Sequence, residues 1–127
     1  MPSSPKRQTA PTAPKPQIAL KDAIVSSLED AKAEDIVAID ITGKTSLSDY
    51  MIVASGRSHR HVSAVADQLA RTLKDLGYDK PRIEGLPHCD WVLVDAGDVI
   101  VHIFRPEVRE FYNIEKMWAA DFTGDSH

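Results

Sequence analysis

The chain has 127 residues, 43% of them hydrophobic and 27% charged, a composition typical of one globular domain. No apolar run reaches the roughly 18–20 residues that cross a membrane, and no apolar segment typical of a secretory signal is present. The single cysteine, Cys89, cannot form an internal disulfide. We therefore expect a cytoplasmic protein of a reducing compartment, without a membrane association.

Charge is distributed unevenly along the chain. Residues 1–17 contain three bases, no acid and five of the eight prolines, whereas the remainder has 12 bases and 19 acids, a net charge of −7. We predict a disordered tail at 1–17, a folded domain at 18–121 and a flexible C-terminus at 122–127. An organelle transit peptide is the less favoured interpretation of the tail, because arginine is scarce there. The acidic body disfavours direct nucleic-acid binding and suits a basic protein partner.

The first predicted elements are a helix and two strands. Apolar residues recur at spacings of four and three over residues 18–33, which predicts an amphipathic helix. Two β-branched runs at 35–41 and 50–56 predict short buried strands. The helical stripe consists of Leu20, Ile24, Leu28 and Ala31.

The second half repeats this alternation of helix and strands. A second amphipathic helix ends at Gly77, a residue suited to the position after a helix C-cap. Residues 81–85 predict a short edge strand, and 105–118 predict a closing helix with proline in its first turn. The whole order predicts one α/β domain with a mixed β-sheet flanked by helices. The stripe of the second helix consists of Val62, Val65, Leu69, Leu73 and Leu76.

Residues 90–104, "DWVLVDAGDVIVHIF", predict a β-hairpin with a two-residue connection at Ala96-Gly97. This connection would pair Asp95 with Asp98 and Trp91 with His102. Alternation then sorts the side chains into two faces. One face is uniformly β-branched and predicts core, and the other mixes aromatic, acidic and aliphatic residues: Trp91, Leu93, Asp95, Asp98, Ile100, His102 and Phe104.

The acids and the histidine of this hairpin raise the question of a metal site. His102 lies four residues from Asp98, about 13 Å along a strand, so the two cannot share a metal whose ligands lie at about 2–2.5 Å. Two solvated turn aspartates are the simplest interpretation, and contacts with a partner are the alternative. Trp91 is either half-buried beneath a helix or an aromatic anchor of an interface. We expect no metal and no cofactor.

Gly56 and Ser58, at the start of the second helix, resemble the phosphate-binding turn of a nucleotidyltransferase. Such an enzyme also needs two acids spaced D-x-D on one strand, and this chain has no D-x-D. Ser58 as a helix N-cap is the simpler interpretation. His59 and His61 would point about 200° apart on a helix, so they do not form a pair of metal ligands.

Two further groups of residues have structural interpretations. Cys89 follows His88, but adjacent residues rarely place a thiolate and its base correctly, so we do not expect catalysis. In the closing helix an apolar stripe predicts core packing, with the Tyr112 hydroxyl at a surface. That stripe consists of Val108, Phe111, Tyr112 and Trp118.

Three long segments resemble the ribosomal silencing factor family, also called the Iojap family. They are "DIVAIDITGKTSLSDYMIVASGRSHRHVSAVADQL", "DWVLVDAGDVIVHIF" and "REFYNIEKMW". The resemblance covers about residues 18–120 and leaves out the tail, which departs from the short N-termini of bacterial members.

The resemblance implies a non-catalytic translational repressor. It would bind the large ribosomal subunit through ribosomal protein uL-fourteen and block the docking of the small subunit when nutrients are short. It also implies a nucleotidyltransferase-like core without catalytic acids, homodimers in some relatives, and organellar action in others. The family's aromatic and acidic strand pair corresponds to partner contacts here at Trp91, Asp95, Asp98, His102 and, less directly, Tyr112.

Two other hypotheses remain open from the sequence. One is a small nucleotidyltransferase-like enzyme using the Gly56/Ser58 turn, which binding of magnesium-ATP would reveal. The other is a homodimer whose hairpin face associates with itself when the protein is free of ribosomes.

Overall fold

A computed structural model describes residues 16–44, 48–78, 81–114 and 116. Its elements alternate between helices and strands. Within these ranges, every helix is too short or too polar to span a membrane. The bounds are α1 Pro16–Asp30, β1 Glu34–Asp40, β2 Tyr50–Ser55, α2 His59–Asp75, β3 Arg82–Glu84, β4 Trp91–Asp95, β5 Val99–Phe104 and α3 Pro106–Tyr112.

The five strands form one mixed sheet in the order β1-β2-β5-β4-β3. The central pair β2–β5 is parallel, and the other three pairs are antiparallel. The parallel pair is joined through α2 and the β3–β4 unit, in keeping with the long crossover that parallel strands require. The single α/β domain with a mixed sheet flanked by helices, predicted from the element order, is thus confirmed.

One face of the sheet, here called the helical face, is covered by α1 and α2. The apolar stripes of both helices pack on the β-branched side of the central strands, and Leu69, Leu73 and Ile24 are fully buried. Fully burying such side chains stabilises the fold by about 1.5–3 kcal/mol each. This layer is the main core, and both predicted stripes lie in it except at Leu76, which is 50% exposed.

The other face, here called the open face, is covered only in part by α3. A smaller apolar cluster of Ile39, Met51, Val53 and Phe104 lies there, with Val108 of α3 packed on it. The side chains of Leu93 and Ile100 remain partly exposed on the same face. The hairpin side with mixed composition therefore lies on the open face, where some side chains are buried beneath α3 or in the small cluster and others contact solvent.

β1 differs from the buried strand that its apolar sequence predicts. It is an edge strand with mostly exposed residues, and a bulge interrupts its pairing between Glu34 and Val37. Asp35 adopts a left-handed conformation there with φ of 50°. Bulges and acidic side chains on an edge discourage pairing with other chains.

The predicted hairpin exists, but its register was wrong. Asp95 pairs with Ile100 and Trp91 with Phe104, so the two-residue turn is Gly97-Asp98. Ala96 directly follows β4, and its N–H donates to the Val99 carbonyl at 3.0 Å, which closes the turn. Gly97 has φ of 85°, and glycine is the residue suited to the first central position of such a turn. The change in register is two residues, so every side chain keeps its predicted face.

The limits of two helices also differ from prediction. α1 begins at Pro16, two residues before the predicted start, and α3 ends at Tyr112, where Asn113 adopts a left-handed conformation at the C-cap. The N-cap residue Arg105 precedes Pro106, which occupies the first turn as predicted. Residues 1–15 of the predicted tail, the C-terminal segment at 122–127 and the position of Trp118 lie outside the described residues.

Candidate functional site

Trp91 is the centre of an aromatic cluster on the open face. Its ring centroid lies 4.9 Å from those of Phe104 and Tyr112, and 5.8 Å from that of His102. The Nε1–H of Trp91 donates to Nδ1 of His102 at 2.9 Å. These contacts restrict the indole to one orientation, yet it stays partly exposed and lines a surface depression with Glu84, Gly85 and Leu93.

Gly85 keeps the backbone beside Trp91 closely packed. With φ of 94°, it would place an added Cβ 2.2 Å from the Trp91 carbonyl oxygen. Only glycine fits both the conformation and the space. The start of β4, and with it the position of the indole, therefore depends on this residue, which the sequence did not single out.

His102 lies beneath Trp91 and is only 9% exposed. Burial lowers the pKa of its imidazole to about 4, because desolvation disfavours the charged ring. The neutral ring offers Nδ1 to the indole, which requires the proton on Nε2. Sequence predicted His102 as a partner contact, whereas its burial suits it better to positioning Trp91.

The two turn aspartates occupy different environments. Asp95 is partly exposed, and its Oδ1 accepts the Gly97 N–H at 2.9 Å across the turn. Asp98 is exposed, and its carbonyl accepts the N–H groups of Asp49 at 2.8 Å and Tyr50 at 3.1 Å. The Asp98 carboxylate thus stays accessible, while the Asp95 carboxylate is partly occupied by the turn.

Tyr112 reaches the same cluster from α3. It is 49% exposed, and its ring packs on that of Trp91, which agrees with the predicted surface position of its hydroxyl end. Phe111 was predicted to pack in the core, and that prediction was wrong because its side chain is 80% exposed. α3 has no buried residue, and Val108 is its one residue that packs on the apolar cluster of the open face while staying partly exposed.

Asp90, directly before Trp91, contacts residues of α2 and of the α3 N-terminus at the end of the sheet. Its Oδ1 lies 2.8 Å from Nε2 of His59 in α2 and 3.3 Å from Nη1 of Arg105, the N-cap of α3. Arg105 also binds Glu107, and its N–H donates to the Asp90 carbonyl at 3.0 Å. The sequence could not identify this cluster, because the Asp90–Arg105 contact depends on the observed register.

We predict that the pKa of the Asp90 carboxyl lies below its ordinary value. The His59 ring, and to a smaller extent the Arg105 guanidinium, lower the pKa of Asp90. The resulting stabilisation is present above the carboxyl's unfolded-state pKa and is lost as pH falls through the lower folded value. Carboxyl NMR titration should show this pKa rising toward the ordinary value in His59→Gln. An equally low pKa in His59→Gln would refute the assignment, and Asp67→Asn on α2 serves as the control for a charge change elsewhere.

The N-terminus of α2 has the predicted cap. Ser58 is extended, and its Oγ accepts the His61 N–H at 3.0 Å. Nδ1 of His61 accepts the Arg57 N–H at 2.9 Å, and its Nε2 lies 3.0 Å from the Ala31 carbonyl. His59 and His61 thus reach different elements, as their spacing predicts.

Replacing the cap should cost stability without changing the open face. We expect Ser58→Ala to lower the free energy of unfolding by about 1 kcal/mol, because an N–H of the first turn loses its acceptor. Chemical denaturation would measure the difference. Ser26→Ala, at an exposed position within α1, is the matched control and should cause no loss; equal stability of both variants would contradict the capping role.

The described residues hold little that suggests catalysis. Within these ranges, no group of three or more histidine, cysteine, aspartate or glutamate side chains is arranged to hold a metal ion. Cys89 is buried, and its Sγ donates to the Leu86 carbonyl at 2.7 Å rather than to His88. The Asp40 and Asp95 carboxylates lie on separate strands that are not neighbours in the sheet.

Together, the fold and the site define a small single-domain α/β protein with a preorganised aromatic cluster on a half-covered sheet face. Comparison with known proteins identifies the family. A model described as ribosomal silencing factor during starvation matches residues 14–126. The chain therefore belongs to the ribosomal silencing factor family.

Individual relatives agree with this membership. A ribosomal silencing factor of Zymomonas mobilis is 50% identical over 117 residues, covering 92% of this chain and 86% of the relative. A crystal structure of a Chromobacterium violaceum protein superposes with a TM-score of 0.80 at 42% identity, covering 83% of this chain and 88% of that one. A mouse protein named mitochondrial assembly of ribosomal large subunit protein 1 is 36% identical, covering 76% of this chain and 44% of the mouse protein.

Family membership decides between the broad classes left open by the sequence. Ribosomal silencing factors are not enzymes, so the prediction of a non-catalytic protein is confirmed and the nucleotidyltransferase alternative is not supported. The family is associated with translational silencing at the ribosome. The identities of the partner-contacting residues stay predictions.

Proposed function

We propose that this protein binds the large ribosomal subunit through ribosomal protein uL-fourteen and sterically blocks joining of the small subunit, lowering translation under starvation. Family membership and the name of the mouse relative support a large-subunit partner. We also propose a bacterial cytoplasmic location, which the 50% identity to a bacterial relative supports. The finer identity of the partner rests on the family resemblance.

The observation that carries the proposal is the partly exposed Trp91 held in one orientation. A preorganised aromatic side chain loses little conformational entropy on binding, and tryptophan is enriched among residues that dominate interface affinity. Leu93 adds apolar surface beside it, and Ile100 and the Asp95 and Asp98 carboxylates lie toward the turn end of the same hairpin. This combination suits a basic protein with an apolar contact, because opposite charges speed association and set orientation.

Ribosome sedimentation tests this function directly. The protein should sediment with isolated large subunits but not with small subunits, and preincubation with large subunits should reduce formation of joined ribosomes. Pull-down by purified uL-fourteen would test the finer assignment. Binding to large subunits without any effect on joining would contradict steric occlusion, and failure to bind large subunits would refute the whole proposal.

A homodimer of the free protein is a competing use of the open face. Sedimentation velocity with and without large subunits separates the two uses. If self-association covers the hairpin, large subunits should dissociate the dimer. A dimer that binds large subunits intact would show that the hairpin does not serve both contacts.

A further inference from the structure

The outward side of α3 has a different chemistry from the side that faces the sheet. Glu107, Glu110 and Phe111 are spaced as one helical stripe and are all exposed. We call these three residues the outer stripe of α3. Phe111 is 80% exposed, the highest value among the exposed large hydrophobic side chains of the described residues.

The cations of the same segment point toward the body of the protein. Arg109 Nη1 donates to Oγ of Ser55 at 2.7 Å, and Ser55 is only 2% exposed. Arg105 binds Asp90 and Glu107. The surface that α3 presents to solvent is therefore acidic and aromatic, while its positive charges serve to hold the helix on the sheet.

Phe111 is also continuous with the aromatic cluster. Its ring meets that of Tyr112 edge-on, with centroids 5.0 Å apart at 89°, and Tyr112 packs on Trp91 at 4.9 Å. Single exposed hydrophobic residues are common on protein surfaces and need no explanation. Three contiguous rings that run from a sheet to the tip of a helix form a surface patch, which is typical of an interaction site.

We infer that the outer stripe of α3 is a second contact segment for the basic protein partner, with Phe111 inserted into an apolar pocket bordered by lysine or arginine side chains. The inference rests on the proposed function, which it extends from the hairpin to α3. The exposed Glu110 side chain matches a cationic border, whereas the Glu107 carboxylate is already paired with Arg105. Phe111 supplies apolar area that the folded monomer does not use.

Affinity measurements on Phe111→Ala test the inference. We expect at least a tenfold loss of affinity for isolated large subunits, because truncating an interface anchor has effects of about this size or more. The melting temperature should stay within about 2 °C of the unsubstituted protein, since the side chain is largely solvated already. Leu76→Ala, at a 50% exposed position at the end of α2, is the matched control and should bind normally.

Charge reversal tests the cationic border. Glu110→Lys should slow association with large subunits, whereas Glu29→Lys, with the same net charge change at an exposed position of α1, should not. Equal association rates for the two reversals would overturn the charged border.

The outcomes separate this inference from the proposed function. If Trp91→Ala weakens binding while Phe111→Ala stays within twofold, the outer stripe is not a contact and only the inference falls. If Phe111→Ala changes self-association alone, the stripe belongs to a second copy, which also overturns it. If the unsubstituted protein does not bind large subunits, the proposed function falls and the inference with it.

Discussion

Trp91→Ala should weaken binding to large ribosomal subunits by about 2–4 kcal/mol, roughly 30- to 900-fold in Kd. The indole is the preorganised centre of the aromatic cluster, and alanine removes its contacts with Phe104, His102 and Tyr112 together. Equilibrium binding to purified large subunits measures the effect. An affinity within twofold of the unsubstituted protein would exclude Trp91 as the anchor.

The same substitution should also lower stability, and the two effects must be separated. Truncation of a fully buried tryptophan costs about 3–5 kcal/mol, and a partly exposed one should cost less, so we expect the domain to stay folded. Circular dichroism at the temperature of the binding measurement checks this. Trp91→Phe is the graded control, because it keeps a stacking ring and loses only the hydrogen bond to His102.

The second large effect should be an acid-dependent loss of stability that originates at His102. Burial lowers the pKa of its imidazole from 6.5 to about 4, so the unfolded chain takes up a proton before the folded one. The associated stabilisation is complete above pH 6.5 and is lost as pH falls toward 4. Its full size is about 3 kcal/mol, since each unit of pKa difference corresponds to about 1.4 kcal/mol.

Urea unfolding measured between pH 7 and pH 4 would detect this loss. His102→Asn is the informative control, because an amide oxygen can still accept the Trp91 Nε1–H but does not titrate. Its stability should therefore fall less steeply over the same interval. Parallel pH profiles for the two proteins would show that His102 is not the group responsible. Asp90, whose pKa is lowered by His59 and Arg105, adds to the acid sensitivity of both proteins.

The aromatic site combines residues that sequence patterns could and could not identify. Trp91 and Tyr112 were recognisable because large amphipathic side chains on a mixed strand face or a short helix often lie at interfaces. The burial of His102 was not predictable, since it depends on how the rings of Trp91 and Phe104 pack around it. Phe111 was misassigned for another reason: a helical stripe predicts core only where a partner layer exists to cover it.

The role of Asp90 illustrates the limit of local patterns more sharply. It stands 15 positions from Arg105 in the chain and 31 from His59. Only the pairing of Trp91 with Phe104 brings the flanking Asp90 and Arg105 together at the end of the sheet. The register predicted from the sequence, with the turn at Ala96-Gly97, pairs Trp91 with His102 and therefore does not bring Arg105 beside Asp90.

By itself, the sequence determined which side of α1, α2 and the two hairpin strands becomes core, because periods of 3.6 and 2 are set by backbone geometry. It also determined the Ser58 cap and the stop at Gly77, which are local hydrogen-bonding and conformational choices. Tertiary structure alone decided the hairpin register, the edge position of β1 and the exposure of α3. These depend on contacts between distant segments, whose energies are summed over the whole sheet and leave no signal in any short stretch of sequence.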